Sequence, residues 1–192
     1  IYFVHGFRFT SKTNSLKSFF FKIIEKFLSL KTSIFITINS EDYNYAKSNL
    51  FRRVPCYKIK GVGLSLSDKH FKRKLKKKKG IEKILVIAAY KKEKGYHDLI
   101  KVAEMLKKQK IKIVCYGYGN NDEYHSLKIK KGLNNISFNN FDINLKNKVK
   151  NFDILIHLSK REGLPVSLMQ SLSEGLPVIC YNIRGNNDLI KD

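Results

Sequence analysis

Apolar residues along this chain fall into short unbroken runs, separated by longer stretches in which they recur every three or four positions. From residue 83 onward the two patterns alternate. KILVIAAY (83–90) predicts a buried strand, YHDLIKVAEMLKKQK (96–110) an amphipathic helix, and IKIVCYG (111–117) a second strand. A helical pattern near 122–131, a short strand ISF (136–138), a helix near 144–150, a strand DILIHL (153–158), a helix over 166–173 and a strand PVICYN (177–182) continue the series. The first part repeats it, with a strand at 1–4, a basic helix at 15–30, a strand SIFITI (33–38), a helix at 41–50 and a strand CYKIKGV (56–62). Apolar strands alternating with helices imply α/β architecture, in which parallel sheets are covered by helices on both faces. Two such domains are expected, at 1–75 and 76–192, with the lysine-rich segment 69–80 as their boundary.

Parallel α/β sheets bind ligands beyond the C-terminal ends of their strands. That rule selects the loops His5-Gly6, Asn39 to Asp42, Gly61 to Gly63, Tyr90 to Gly95, Gly117 to Gly119, Asn139 to Asp142, Lys160 to Pro165 and Arg184 to Asn186. One of them carries a tetrapeptide that occurs twice, as Glu162-Gly163-Leu164-Pro165 and again as Glu174-Gly175-Leu176-Pro177. Between the copies, Val166 to Ser173 is a helix-length stretch without Gly or Pro. Pro165 suits the first helical position and Gly175 the position just past the last turn, so one copy opens the helix and the other closes it. Only the opening copy has unpaired N–H groups and the positive end of the helix dipole, which together make an anion site; Gly163 lets the backbone approach a bound group.

Composition adds constraints. The formal net charge is +22. It is uneven: residues 1–80 hold 19 basic and 4 acidic side chains, or +15, and residues 81–192 hold 19 and 12, or +7. Such a balance attracts anionic lipid surfaces or phosphorylated ligands, unless it merely reflects an abundance of lysine. A nucleic-acid partner is not expected, because the lysines of 72–79 carry no interleaved base-stacking aromatics. Cys56, Cys115 and Cys180 lie far apart without a CxxC pair, which suits reduced core thiols better than disulfides or zinc ligands. The run 16–30 is broken by Lys17, Lys22, Glu25 and Lys26, so it is not a membrane span; Phe19, Phe20, Ile23, Ile24, Phe27 and Leu28 at helical spacing are expected to be core. No signal peptide is visible. The first residues already read as a strand, without an initiator Met, so an internal fragment is expected.

The motifs, taken in order, resemble those of family 4 (group 1) glycosyltransferases of the GT-B fold. REGLPVSLMQSLSEGLPVI resembles the family's E-G-x-P signature helix, VHGFRF its HGF-type loop, TINSEDYNYAK its TxNxEDxxxA segment and GVGLSLSDKHF its crossover. AAYKKEKGYHDLI resembles its diphosphate loop, and YNIRGNNDLI the loop after the last strand. The resemblance covers most of the chain and is closest to transferases that build bacterial capsule, exopolysaccharide or lipopolysaccharide. It implies two Rossmann-like domains, the first on the acceptor side and the second on the donor side, both truncated at the chain ends.

The resemblance also implies chemistry. The family transfers a sugar from a nucleotide-diphosphate donor with retention of configuration and without a bound metal, and this sequence has no DxD motif. No cofactor is expected; the donor is expected to be UDP-linked, and the acceptor a lipid-linked or growing saccharide. Lys94 and the Gly163, Leu164, Pro165 helix start would stabilise the diphosphate, Glu162 would hold hydroxyls of the donor sugar, and His5 would lie near that sugar. Gln170 would face the ribose, with Gly117 and Gly119 lining the nucleotide pocket. Two positions depart from the family: its second glutamate is Gln170, and the arginine often found five residues before the lysine is Ala89. Both imply weaker or differently built donor binding, with Lys91 and Lys92 as nearby substitutes. The expected location is cytoplasmic, peripheral on the inner face of the membrane. The alternative is a non-catalytic member serving as a membrane or partner adaptor.

Overall fold

A computed structural model of the chain describes residues 1–10, 15–50, 54–61, 63–64 and 80–190. The expected domain boundary at 75/76 and the lysine run 76–79 lie outside these. The chain divides into two compact units. One comprises Ile1–Gly63 with the segments Glu162–Pro165 and Asn182–Asp192; the other comprises Leu64–Arg161 with Val166–Tyr181. Two short segments that sequence order alone assigns to the second domain thus belong to the first unit.

The first unit is built on β1 (Tyr2–Val4), α1 (Leu16–Ser29), β2 (Phe35–Thr37), α2 (Ser40–Asn49) and β3 (Cys56–Lys58). The strands pair in parallel in the order β1-β2-β3, Tyr2 opposite Phe35 and Phe35 opposite Cys56. Aromatic residues fill its core. Phe7 and Phe9 stack with centroids 5.1 Å apart, and Tyr45 from α2 meets both rings edge-on.

Helix α1 corrects one expectation. It begins as its sequence suggests, with Ser15 Oγ accepting from Ser18 N–H at 3.1 Å. Its buried stripe, however, is Ser18, Glu25 and Ser29. Ile23 and Ile24 are half-buried, whereas Phe19 (65%), Phe20 (61%), Phe27 (60%) and Leu28 (49%) are exposed. On the inward side the Tyr2 hydroxyl donates to Glu25 Oε1 at 3.2 Å, and half-buried Phe21 packs against the aromatic core.

The second unit carries a five-stranded parallel sheet in the order β6-β5-β4-β7-β8. Its elements run β4 (Lys83–Ile87), α3 (Tyr96–Met105), β5 (Lys112–Gly117), α4 (Asp122–Lys130), β6 (Ile136–Asn140), α5 (Leu145–Lys148), β7 (Ile154–His157), α6 (Val166–Ser173) and β8 (Val178–Cys180). Helix α3 ends five residues sooner than its pattern predicts, in turns over the lysine-rich 107–110, where no apolar face remains to hold a further helical turn. Tyr96 and Tyr124 bring their rings to Phe138 inside the core. The Tyr96 hydroxyl donates to Ala88 O at 2.7 Å, so its polar end is satisfied where its ring is buried. Cys115 is fully buried, burial pushes its thiol up, and none of the three cysteines is joined in a disulfide.

The strand order reverses between β4 and β7. Strands β4, β5 and β6 build outward to one side, and β7 with β8 to the other, so the exits of β4 and β7 adjoin at the switch point where such sheets take ligands. The second EGLP copy closes α6 as expected: Gly175 has φ +67°, its N–H reaches Leu172 O at 2.9 Å, and Leu176 N–H reaches Ser171 O at 2.9 Å. Those two bonds are a Schellman cap, which requires the left-handed residue that glycine supplies. A last turn, α7 (Asn186–Leu189), ends the described chain.

The Glu25 contact is pH-sensitive. Burial pushes its carboxyl above the usual range, the Tyr2 hydrogen bond pulls it part of the way back, and among the described residues buried Oε2 has no hydrogen-bond partner. A raised folded-state value means that the proton is held more tightly in the folded chain. The associated stability is complete below the unfolded value and is lost as pH rises through the folded one. Glu25→Gln is therefore expected to raise the melting temperature more at pH 8 than at pH 4; an equal shift at both would show that ionisation is not the cause.

Candidate active site

In the first unit, the turn after β1 and the EGLP turn touch through their main chains. A Cβ at Gly163 would overlap His5's carbonyl oxygen, so only glycine allows this approach. Gly185, at φ +81°, closes on the same turn, and a Cβ there would overlap Gly163's carbonyl oxygen. His5 itself is exposed, its ring 4.7 Å from that of Phe3, and Glu162, Gly163 and Leu164 are half-buried above a buried Pro165. His5 is therefore not a buried core histidine, and Gly163 has a packing reason to be glycine in addition to any ligand.

Arg184 fixes this arrangement. Its side chain is 3% exposed and pairs with Asp42, 2% exposed, at 2.9 Å. The remaining donors go to main-chain oxygens: Nη1 to Phe9 O at 2.7 Å, Nη2 to Phe7 O at 2.9 Å and Nε to Glu162 O at 3.0 Å. Asp42 also accepts from Asn39 Nδ2 at 2.6 Å and from Phe7 N–H at 3.5 Å. Burial is the largest influence on Asp42 and pushes its carboxyl up, while Arg184, Asn39 and Phe7 pull it down. The TINSED segment thereby acquires a physical basis. Asn39 caps α2 by accepting from Asp42 N–H at 2.8 Å, and Asp42 carries the charge that Arg184 needs. Asp188 of α7 adds a second tie, accepting from Ser40 N–H at 2.9 Å with Lys58 Nζ at 3.6 Å. Arg184 and Asp42 fall in ligand-edge loops to which the sequence assigns no role; an arginine and a carboxylate in two such loops are the signal that could pair them.

The second unit holds Lys94, Gly117, Gly119 and Gln170. Lys94 ends a single 3-10 turn (Lys92–Lys94) after β4, followed by Gly95. This loop lies against the exit of β7. Gly95 packs where a Cβ would strike Leu158's carbonyl, and Lys160 N–H donates to Glu93 O at 2.7 Å. Lys160 Nζ lies 3.1 Å from Asp98 Oδ2, and Tyr181's hydroxyl donates to Asp98 at 3.3 Å; the lysine, first of all, holds the Asp98 carboxyl below its usual range. Gly117 packs so closely on Ala88's carbonyl that any side chain would collide, and Gly119 follows at φ +103° beside Tyr90. Gln170 is half-buried on α6, four residues past its first residue, Val166. Ala89 is buried. Among the described residues, no three His, Cys, Asp or Glu side chains cluster as metal ligands would.

Residues 67–192 match the family described as Glycosyl transferases group 1. EpsD of Bacillus subtilis (strain 168), a protein provisionally named a glycosyltransferase, is 28% identical over 207 residues; the match takes in 100% of this chain and 54% of EpsD, so the chain spans about half that relative's length. Among solved structures, a mutant of S. aureus TarM in complex with fondaparinux, alpha-GlcNAc-glycerol and UDP superposes with a TM-score of 0.75 at 21% identity, over 98% of this chain and 37% of TarM. Anabaena Alr3699/HepE in complex with UDP and glucose gives 0.75 at 17% identity, over 100% and 55%. The fold is GT-B.

Removing one member of a buried ion pair leaves the other charge uncompensated. Asp42→Ala is expected to destabilise by about 3–5 kcal/mol in denaturant titrations. A loss below about 1 kcal/mol would show that the carbonyl oxygens suffice for Arg184.

Proposed function

The chain belongs to the group 1 glycosyl transferases, and on that premise we propose that the protein transfers a sugar, with retention, from a UDP-linked donor to a lipid-linked or growing saccharide. The observation that carries this reading is the Lys91–Gly95 loop docked on the exit of β7 at the sheet's switch point. It sets a lysine-bearing loop against residues 158–160 within the second unit, at the edge where parallel sheets take ligands. The relatives crystallised with UDP support the choice of nucleotide, and those holding glucose or alpha-GlcNAc-glycerol support a sugar substrate.

In this reading the diphosphate lies at the start of α6, where unpaired N–H groups and the helix dipole favour an anion. Lys94 adds a cation to the charge that develops on the leaving group, the term that a metal-free transfer must obtain from protein. Glu162 accepts from hydroxyls of the donor sugar, and His5 stands beside it. Gln170 faces the ribose with one carbonyl acceptor and an amide donor, where a glutamate would accept from both hydroxyls.

Lys94→Ala and Glu162→Ala in the full-length protein should each lower kcat/KM by about tenfold or more, or about 1.4 kcal/mol of transition-state stabilisation. In the same series Gln170→Glu should tighten UDP binding by about threefold to thirtyfold in calorimetry. Undiminished turnover in both alanine variants would refute the assignment; no nucleotide-sugar binding by any of the proteins would instead favour a non-catalytic adaptor.

We also place the protein at an anionic membrane surface on the cytoplasmic side. The +15 balance of residues 1–80 supports this, as does the outward face of α1, where exposed Leu16, Phe19, Phe20 and Phe27 are interleaved with Lys17 and Lys26. The full-length protein should float with phosphatidylglycerol-containing vesicles at low salt and detach as salt is raised. Equal flotation with neutral vesicles would leave the charge as a compositional bias only.

A further inference from the structure

The guanidinium of Arg184 binds main-chain oxygens on both sides of the contact between the His5 turn and the EGLP turn. Phe7 O and Phe9 O belong to the first turn, and Glu162 O belongs to the second. Each of its three nitrogens is engaged, and its charge is met by Asp42. Resting on the function proposed above, we propose that Arg184 is a positioning residue: it sets the separation of His5 and Glu162, the two side chains assigned to the donor sugar, without touching the sugar itself.

Three features favour this over simple packing. The arginine is held to the very residue whose side chain is assigned the sugar hydroxyls, through that residue's own carbonyl at 3.0 Å. The glycines on either side, Gly163 and Gly185, let the two main chains come together, and the guanidinium spans that contact by bonding carbonyl oxygens on both sides of it. The anchor at the other end is rigid, because Asp42 lies in the first turn of α2, whose cap Asn39 also bonds to its carboxylate. Small displacements matter at such a point, since an error of about 1 Å in a reacting group's placement can cost about a hundredfold in rate.

Stability and positioning separate in a pair of variants of the full-length protein. Arg184→Met combined with Asp42→Leu removes both buried charges and fills their volume, a replacement that is often neutral or stabilising. Arg184→Lys keeps the charge facing Asp42 but cannot reach all three carbonyl oxygens at once. The readouts are melting temperature, UDP affinity by calorimetry, and kcat for UDP release from UDP-glucose and UDP-N-acetylglucosamine. The expected result is a melting temperature near wild type in the double variant, UDP affinity within about twofold in both, and kcat lower by about tenfold or more in both. The kcat loss should vanish in a His5→Ala, Glu162→Ala background, where there is nothing left to position. Recovery of kcat together with stability in the double variant would overturn the inference, leaving Arg184 a structural residue. Should the double variant not fold, Arg184→Lys decides alone: wild-type kcat overturns the inference, and a tenfold lower kcat at unchanged UDP affinity upholds it. The single variants Lys94→Ala and Glu162→Ala test the function reading itself, so its failure is read separately.

Discussion

A guanidinium cannot be taken out of water unless its charge is met and its donors are used, and the first unit is organised around meeting that demand. Asp42 supplies the charge. The donors are taken by carbonyl oxygens that lie about 20 and 175 residues away along the chain, so one side chain closes a loop that spans nearly the whole sequence. The aromatic core beneath it, with Phe7, Phe9 and Tyr45 in contact, gives those carbonyls fixed places. Helix α2 does the same for the carboxylate through its Asn39 cap.

In the second unit the constraint is topological. A parallel sheet whose strand order reverses between β4 and β7 leaves two loops at the reversal, and here they are bonded to each other through Glu93 and Lys160. Gly95 allows the approach, and the Asp98–Lys160–Tyr181 contacts brace it from the exposed side. The group-transfer chemistry proposed for this family member thus begins from loops whose backbone is held independently of any ligand.

Most of the architecture was legible because strands such as β4 and β7 are continuous apolar runs and helices such as α1, α2 and α6 carry start or stop residues of their own. The two EGLP copies are an instance: Pro165 and Gly175 mark the ends of α6 by chemistry that acts within one turn. What acts at longer range was not legible. The inward stripe of α1 includes Glu25, whose partner Tyr2 lies on another element, and periodicity alone does not separate that stripe from the one carrying Phe19, Phe20, Phe27 and Leu28, which is exposed in this chain. Arg184 and Asp42 are 142 residues apart, and nothing in either local pattern announces the other. The motif residues of the candidate site could be recognised one at a time; the groups that hold them could be found only by folding the chain.

The interlocked main chains at 163 and 185 bear on how mutational tolerance is interpreted. In a comprehensive substitution scan these two positions would score as severely as any group that touches substrate, because every replacement inserts an atom into a neighbouring carbonyl. Their intolerance would measure the thickness of a Cβ rather than the chemistry of a site. A map of essential positions for this protein therefore separates into two populations: glycines that no residue can replace, and polar side chains for which isosteric replacements discriminate between shape and reactivity.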